Sequence, residues 1–182
     1  MEDARGMKVV FVSHCVLNQN SVVRELATRS GMLSEIVRVL DRLGLGIVQL
    51  PCPETGYCGL KRWWQTKEQY DSVGFRRYCR RLAEETADLA AEFEGNGIEV
   101  VAVIGIRGSP SCGVKETTVG WTGGNPARAG ECRRTRGMGV FMEEVRRAFE
   151  ERGLKPVFTD VDSSRPEDSA RELERELESL LK

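Results

Sequence analysis

The sequence predicts a three-layer α/β fold: a parallel sheet of about four strands with helices on both faces. Three observations carry this. Short, β-branched apolar runs alternate with segments whose apolar residues recur at helical spacing, and glycine or proline marks most of the transitions. One run, Ile98-Glu-Val-Val-Ala-Val-Ile-Gly105, is apolar almost throughout, the pattern of a strand buried on both faces of a parallel sheet.

Met7-Lys-Val-Val-Phe-Val-Ser13 is too brief and too β-branched for a helix and reads as the first strand. Ser30 is placed to cap a helix bearing Leu33, Ile36, Val37, Leu40 and Leu43, closed by Gly44. Gly46-Ile-Val-Gln-Leu50 is the second strand. Pro51 and Pro53 end it, since neither can donate to a central sheet, and a loop rich in glycine and proline is expected beyond them.

From about Asp71 to Phe93, the residues Phe75, Tyr78, Cys79, Leu82, Leu89 and Phe93 trace one face of a long helix, ended by Gly95-Asn-Gly97. The 98–105 strand follows. From Arg107 to Gly137 the chain is dense in Gly, Ser, Thr, Pro and Arg, and so long a loop predicts a functional lid, centred on 117–137. Met138, Phe141, Met142, Val145 and Phe149 mark the next helix, then Gly153 and a strand at Pro156-Val-Phe-Thr159. A last helix starts near Pro166 and carries Leu173, Leu177, Leu180 and Leu181. The order βαβαβαβα with right-handed crossovers is Rossmann- or flavodoxin-like.

A chain of 182 residues fits one domain, 1–182, and buries a core without disulfides. Its 27 basic and 28 acidic residues nearly cancel, which argues against a nucleic-acid binder driven by bulk charge. The first seven residues lack the apolar run of a secretory signal, and no apolar stretch reaches membrane-spanning length, so a cytoplasmic protein is expected. Six cysteines in that compartment do not form a disulfide framework and call for another explanation.

In an open parallel sheet, ligands bind beyond the carboxyl ends of the strands. Cys15 stands just past the first strand, Cys52 just past the second and Cys112 just past the third. Three successive β→α turns thus deliver one thiol each to the same edge. Thiolates suit an iron-sulfur cluster or zinc, and three protein ligands on a cluster leave one iron open to substrate. The competing reading is that of small buried hydrophobes, which holds for Cys79 on the apolar face of its helix. Cys58 and Cys132 stay open, Cys58 as a fourth ligand.

Glu54 lies two residues beyond Cys52, and an extended loop would point both side chains one way, giving a general acid or base beside the metal. Its alternative is a carboxylate bonded to local backbone. Ser109 and Ser111 flank Pro110 and offer hydroxyls for nucleophile activation, or turn partners to the backbone. His14, the only histidine, alternates away from Cys15, which favours packing over ligation. Trp63 and Trp64 either wall a pocket for a flat ring or pack in the core. The arginines at 128, 133, 134 and 136 read as a solvated face, with anion or RNA contact as the minority reading.

Ser13-His-Cys15, Cys52-Pro-Glu54 and Ser109-Pro-Ser-Cys-Gly113 together resemble the thiouracil desulfidase family over roughly the first two-thirds of the chain. His14-Cys-Val-Leu-Asn-Gln-Asn20, Gly59-Leu-Lys-Arg-Trp63 and Lys67-Glu-Gln-Tyr-Asp71 are similar to a related branch of desulfidases. The resemblance implies a 4Fe-4S cluster on Cys15, Cys52 and Cys112, with Glu54 transferring protons and Ser109 assisting water attack. It further implies that the unligated iron takes sulfur from a thiolated pyrimidine without net redox change. His14 and Val16-Leu-Asn18 depart from the family pattern, as do Tyr57-Cys58 and the tryptophan pair, so the substrate need not be thiouracil. The expected partner is a small thiolated compound, with thiouridine in tRNA disfavoured by the balanced charge. A non-catalytic iron-sulfur or zinc protein for sulfide storage or redox sensing is the alternative. A thiol oxidoreductase is weakened by the lack of a Cys-x-x-Cys pair.

Overall fold

The computed structural model describes residues 3–121, 123–125 and 131–182. Four strands form one parallel sheet: β1 (Lys8–Val12), β2 (Gly46–Gln49), β3 (Glu99–Ile106) and β6 (Val157–Val161), in the spatial order β2-β1-β3-β6. Val10 pairs with Ile47 on one side and Ala102 on the other, and Ile104 pairs with Thr159.

Alternation along the strands divides the core in two. Val9, Phe11, Val100 and Val103 face α5 (Val73–Gly95) and α6 (Val140–Glu151), packing with Phe75, Leu82, Phe141 and Phe149. Val10, Val12, Ala102 and Ile104 face α2 (Ser34–Arg42) and α7 (Pro166–Leu180), packing with Ile36, Leu40, Leu173 and Leu177. The crossover through α2 and the one through α5 therefore leave on opposite faces, and the winding reverses between β1 and β3. That is where an open α/β sheet leaves a crevice for ligands. Among the described residues, no helix is long and apolar enough to cross a membrane.

The principal strands and helices lie where the periodicity placed them, with three differences. Ser30 caps nothing: α2 starts four residues later, with Leu33 at its N-cap position and Gly44 in the left-handed region (φ 68) after it. The loop expected beyond β2 contains two short helices, α3 (Pro53–Cys58) and α4 (Lys67–Tyr70). Pro53 both ends the strand and starts a helix, because at the first helical position its missing N–H costs nothing. The long segment before α6 carries an antiparallel pair, β4 (Glu116–Val119) and β5 (Arg133–Arg136). Arg133-Arg-Thr-Arg136 is exposed at every position, so no apolar alternation announces it. Part of the predicted lid, Thr122 and 126–130 with Arg128, lies outside the described residues, as do the first two residues.

Candidate active site

Three turns at the carboxyl edge of the sheet each fix one cysteine. Past β1, Ser13 N–H donates to Ile104 O (2.9 Å), and Cys15 follows in a short helix, α1 (His14–Leu17). Past β2, Cys52 is the N-cap of α3, and its Sγ accepts the Thr55 N–H at 3.4 Å. Past β3 the chain turns tightly: Gly113 N–H donates to Ser109 O (3.0 Å), and Cys112 N–H to Ser109 Oγ (3.0 Å).

The Cys112 turn is packed backbone against backbone. A Cβ on Gly105 would stand 2.2 Å from Cys112 O, and one on Gly139 2.4 Å from the Ser111 carbonyl carbon. From the end of β6, the Asp160 carboxylate holds the exit of the turn, accepting N–H groups of Val114 (3.1 Å) and Lys115 (2.6 Å) and the Nε of Arg107 (2.9 Å).

Cys15, Cys52 and Cys112 line one cavity of about 510 Å³, together with Glu54, Ser109, Trp64 and Arg134. Burial, and then the neighbouring Cys52 and Glu54, push the Cys15 thiol up to about 12. Burial, followed by Cys52 and Cys15, raises Cys112 well above its ordinary value. Each of these two thiols therefore feels the others, and a cationic group among them would favour the thiolates. Among the described residues no three His, Cys, Asp or Glu side chains converge tightly enough to hold a single ion. Thiolates are the donors that iron-sulfur clusters take, so the chemistry of the three thiols lining this cavity fits such a group.

Glu54 is buried beside them. Its Oε2 accepts Arg62 Nε at 2.9 Å, and its Oε1 accepts Ser111 Oγ at 2.6 Å. Arg62 is itself almost fully buried and donates further to Ser21 O (2.7 Å), Gly59 O (3.2 Å) and Thr55 Oγ1 (3.3 Å). Glu54 is thus tied across the site rather than to its local backbone. Tyr70 lies close by, its hydroxyl buried and without a hydrogen-bond partner among the described residues; burial, then the Glu54 carboxylate, holds that phenol above its usual range.

The two candidate serines have different places. Ser109 lines the cavity and caps the Cys112 turn, whereas Ser111 is buried and bonds the carboxylate; their Oγ atoms are 3.4 Å apart. Sequence reasoning did not single out Arg62 as a partner of Glu54. The two lie eight residues apart in the connection after β2, a spacing that marks no pair in the sequence.

Most of the other candidates lie outside the cavity; Trp64 and Arg134 line it. His14 lines a separate hollow with Phe11, Val48 and Leu82, in keeping with packing. Cys58, at the far end of α3, is exposed, and Cys79 is buried in the core against α6. Cys132 is half-buried and does not line the cavity. Trp63 and Trp64 are both more than half exposed, which overturns the core-packing alternative, and only Trp64 lines the cavity. Of the arginines on β5, Arg134 reaches the cavity and lies 3.4 Å from Asp162.

Comparison with known proteins places this architecture. A profile of the family described as "Putative 2-thiouracil desulfurase" matches residues 7–132, which include all three cavity cysteines. An uncharacterised protein of Methanocaldococcus jannaschii is 38% identical over 110 residues, 60% of this chain and 70% of the relative. A solved structure, a 4Fe-4S-dependent thiouracil desulfidase, superposes with a TM-score of 0.51 at 21% identity, covering 91% of this chain and 97% of that one. At that identity the likeness is one of fold.

Proposed function

The chain belongs to this 2-thiouracil desulfurase family, and from that premise we propose an iron-sulfur-dependent, non-redox desulfidase that exchanges the sulfur of a small thiolated heterocycle for oxygen from water. The observation that carries the proposal is the meeting of Cys15, Cys52 and Cys112, from three successive β→α turns, in one cavity with a buried carboxylate. The free-standing compound, rather than thiouridine in tRNA, is the substrate that the balanced net charge of -1 favours.

When bound, a 4Fe-4S cluster held by Cys15, Cys52 and Cys112 supplies an iron without a protein ligand, a Lewis acid for a thiocarbonyl sulfur. Glu54 removes a proton from the water that attacks the ring carbon and returns it to the departing sulfur. The sum is a thiocarbonyl and water giving a carbonyl and hydrogen sulfide, with no electron gained or lost. An ionised carboxylate offers about four lone-pair sites, so the bonds from Arg62 and Ser111 leave room for that water. Those two bonds also fix the carboxylate's orientation, which proton transfer needs before it needs a tuned pKa. Ser109, at the cavity face of the same turn, orients the water and holds the Cys112 amide.

Anaerobic purification with iron and sulfide counting tests the ligand set. About four irons are expected in the wild type, lost in Cys15→Ala, Cys52→Ala and Cys112→Ala and kept in Cys58→Ala. Glu54→Gln should keep the iron and lose roughly 100- to 10,000-fold in sulfide release from 2-thiouracil, the range of general acid-base catalysis. Zinc in place of iron, or no metal in any preparation, would remove the mechanism.

A further inference from the structure

Trp64 is unexplained by the machinery described so far. It lines the cavity with 53% of its surface exposed, and Leu26, which lines the same cavity, is 54% exposed. Among the described residues the indole makes no ring contact. A side chain of that size normally buries most of its apolar area, and an indole left open in a pocket is a surface for a ligand ring.

The backbone on either side of it is pinned. Two residues earlier, Arg62 ties the segment to Glu54 Oε2 (2.9 Å) and to Ser21 O (2.7 Å). Two residues later, Thr66 is buried and starts α4 in a reciprocal cap with Gln69. The indole is therefore held in register with the carboxylate. Val22 and Val23 extend the apolar lining beside Leu26. Trp63 is 64% exposed yet lies outside the cavity, so the neighbouring residue serves as an internal control.

We infer that Trp64 is the platform on which the substrate ring stacks, and that it makes the enzyme select flat heteroaromatic thiones over open-chain thioamides. This rests on the desulfidase reading, because it assigns a role towards the substrate of that reaction. Stacking is sequence- and substituent-tolerant, since every flat heterocycle has a π face. It contributes to holding the ring in both ground and transition states, so its loss appears in KM rather than kcat.

The test is sulfide release by the anaerobic holoenzyme, with 2-thiouracil and with thioacetamide, for Trp64→Ala, Trp64→Phe and Trp63→Ala. For 2-thiouracil, Trp64→Ala is expected to raise KM roughly 5- to 100-fold, the fold-change of one lost base-aromatic stack, with kcat little changed. Trp64→Phe should fall between wild type and Trp64→Ala, and Trp63→Ala should match wild type. Thioacetamide turnover should not respond to Trp64→Ala, so the preference for the ring collapses. A second readout needs no turnover: in holoenzyme carrying Trp63→Phe and Trp121→Phe, Trp64 is the one tryptophan left, and titration with uracil should quench its emission to saturation. An unchanged KM and preference in Trp64→Ala overturns the inference while leaving the desulfidase reading intact. If wild type releases no sulfide from either compound, that reading fails instead. The uracil titration then decides the platform alone: saturable quenching supports it, and a flat titration overturns it.

Discussion

Replacing Arg62 with Met is the sharpest test of how the site is built. The Arg62 side chain is 3% exposed and that of Glu54 11%, so solvent screens their 2.9 Å contact little. Breaking a buried ion pair by removing one partner leaves an uncompensated buried charge and costs about 3–5 kcal/mol. Arg62→Met also strips the carbonyls of Ser21 and Gly59 of a donor, which adds to the loss unless water enters. For a chain of this size, about 3–5 kcal/mol corresponds to a drop in Tm of roughly 6–20 °C. The assay is urea unfolding of Arg62→Met, Glu54→Gln and the double variant. The double variant should be more stable than the two single losses summed, because once the carboxylate is neutral no charge is stranded. A loss below about 1 kcal/mol, or strict additivity, would refute the claim that Arg62 neutralises Glu54.

Four further outcomes follow from named contacts. Ser111→Ala removes the 2.6 Å donor from Glu54 Oε1 and should cut kcat about 10- to 100-fold with iron retained, since a hydrogen bond to a charged group is worth about 1.5–3 kcal/mol; Ser109→Ala should instead lower iron content, by freeing the Cys112 amide. Gly105→Ala puts a methyl 2.2 Å from Cys112 O and 2.9 Å from Val114 Cγ2, and is expected to cost about 1–3 kcal/mol by overpacking and to reduce bound iron, read by unfolding and iron assay. Asp162 is held below its usual 3.8: burial alone would raise it, but the hydroxyl and N–H of Ser164 and the charge of Arg134 outweigh that. A depressed carboxylate contributes stability that is full above its unfolded value and lost as pH falls through the folded one. Acid unfolding of Asp162→Asn should therefore show a shallower loss of stability below about pH 4 than wild type.

The fold was legible because its signals are local. Strand β3 is apolar at nearly every position, and α5 and α6 carry their apolar residues on one face, so a continuous apolar run and a period of 3.6 suffice to find them. The misses have equally local causes. Thr55-Gly-Tyr57 gives α3 no amphipathic pattern, and that helix is read correctly only when Cys52 and Pro53 are seen as its N-cap and first residue. The β4–β5 pair sets exposed arginines opposite Glu116, Thr118 and Val119, a ribbon in which β5 is held by backbone pairing rather than by burial.

The candidate site divides along the same line. Cys15, Cys52 and Cys112 were legible because topology needs only the position of each residue at a strand end, and in a parallel sheet all such ends share one edge. Glu54 is singled out in the sequence on the premise of an extended loop, whereas it lies in the first turn of α3 behind Cys52 as N-cap, and its partners are not foreseen. Arg62 folds back from the segment just beyond α3, and Ser111 comes from the third turn, across the crossover through α5; neither bond has a spacing that marks it. The distinction between Ser109 and Ser111 was likewise out of reach, since both flank one proline and only the fold of the turn sends one hydroxyl to the Cys112 amide and the other to Glu54. Strand ends thus bring the three thiols to one cavity, whereas the bonds from Arg62 and Ser111 fix the orientation of the Glu54 carboxylate. Ser111→Ala should therefore alter rate at constant iron content, whereas Cys15→Ala, Cys52→Ala and Cys112→Ala should leave no iron to measure.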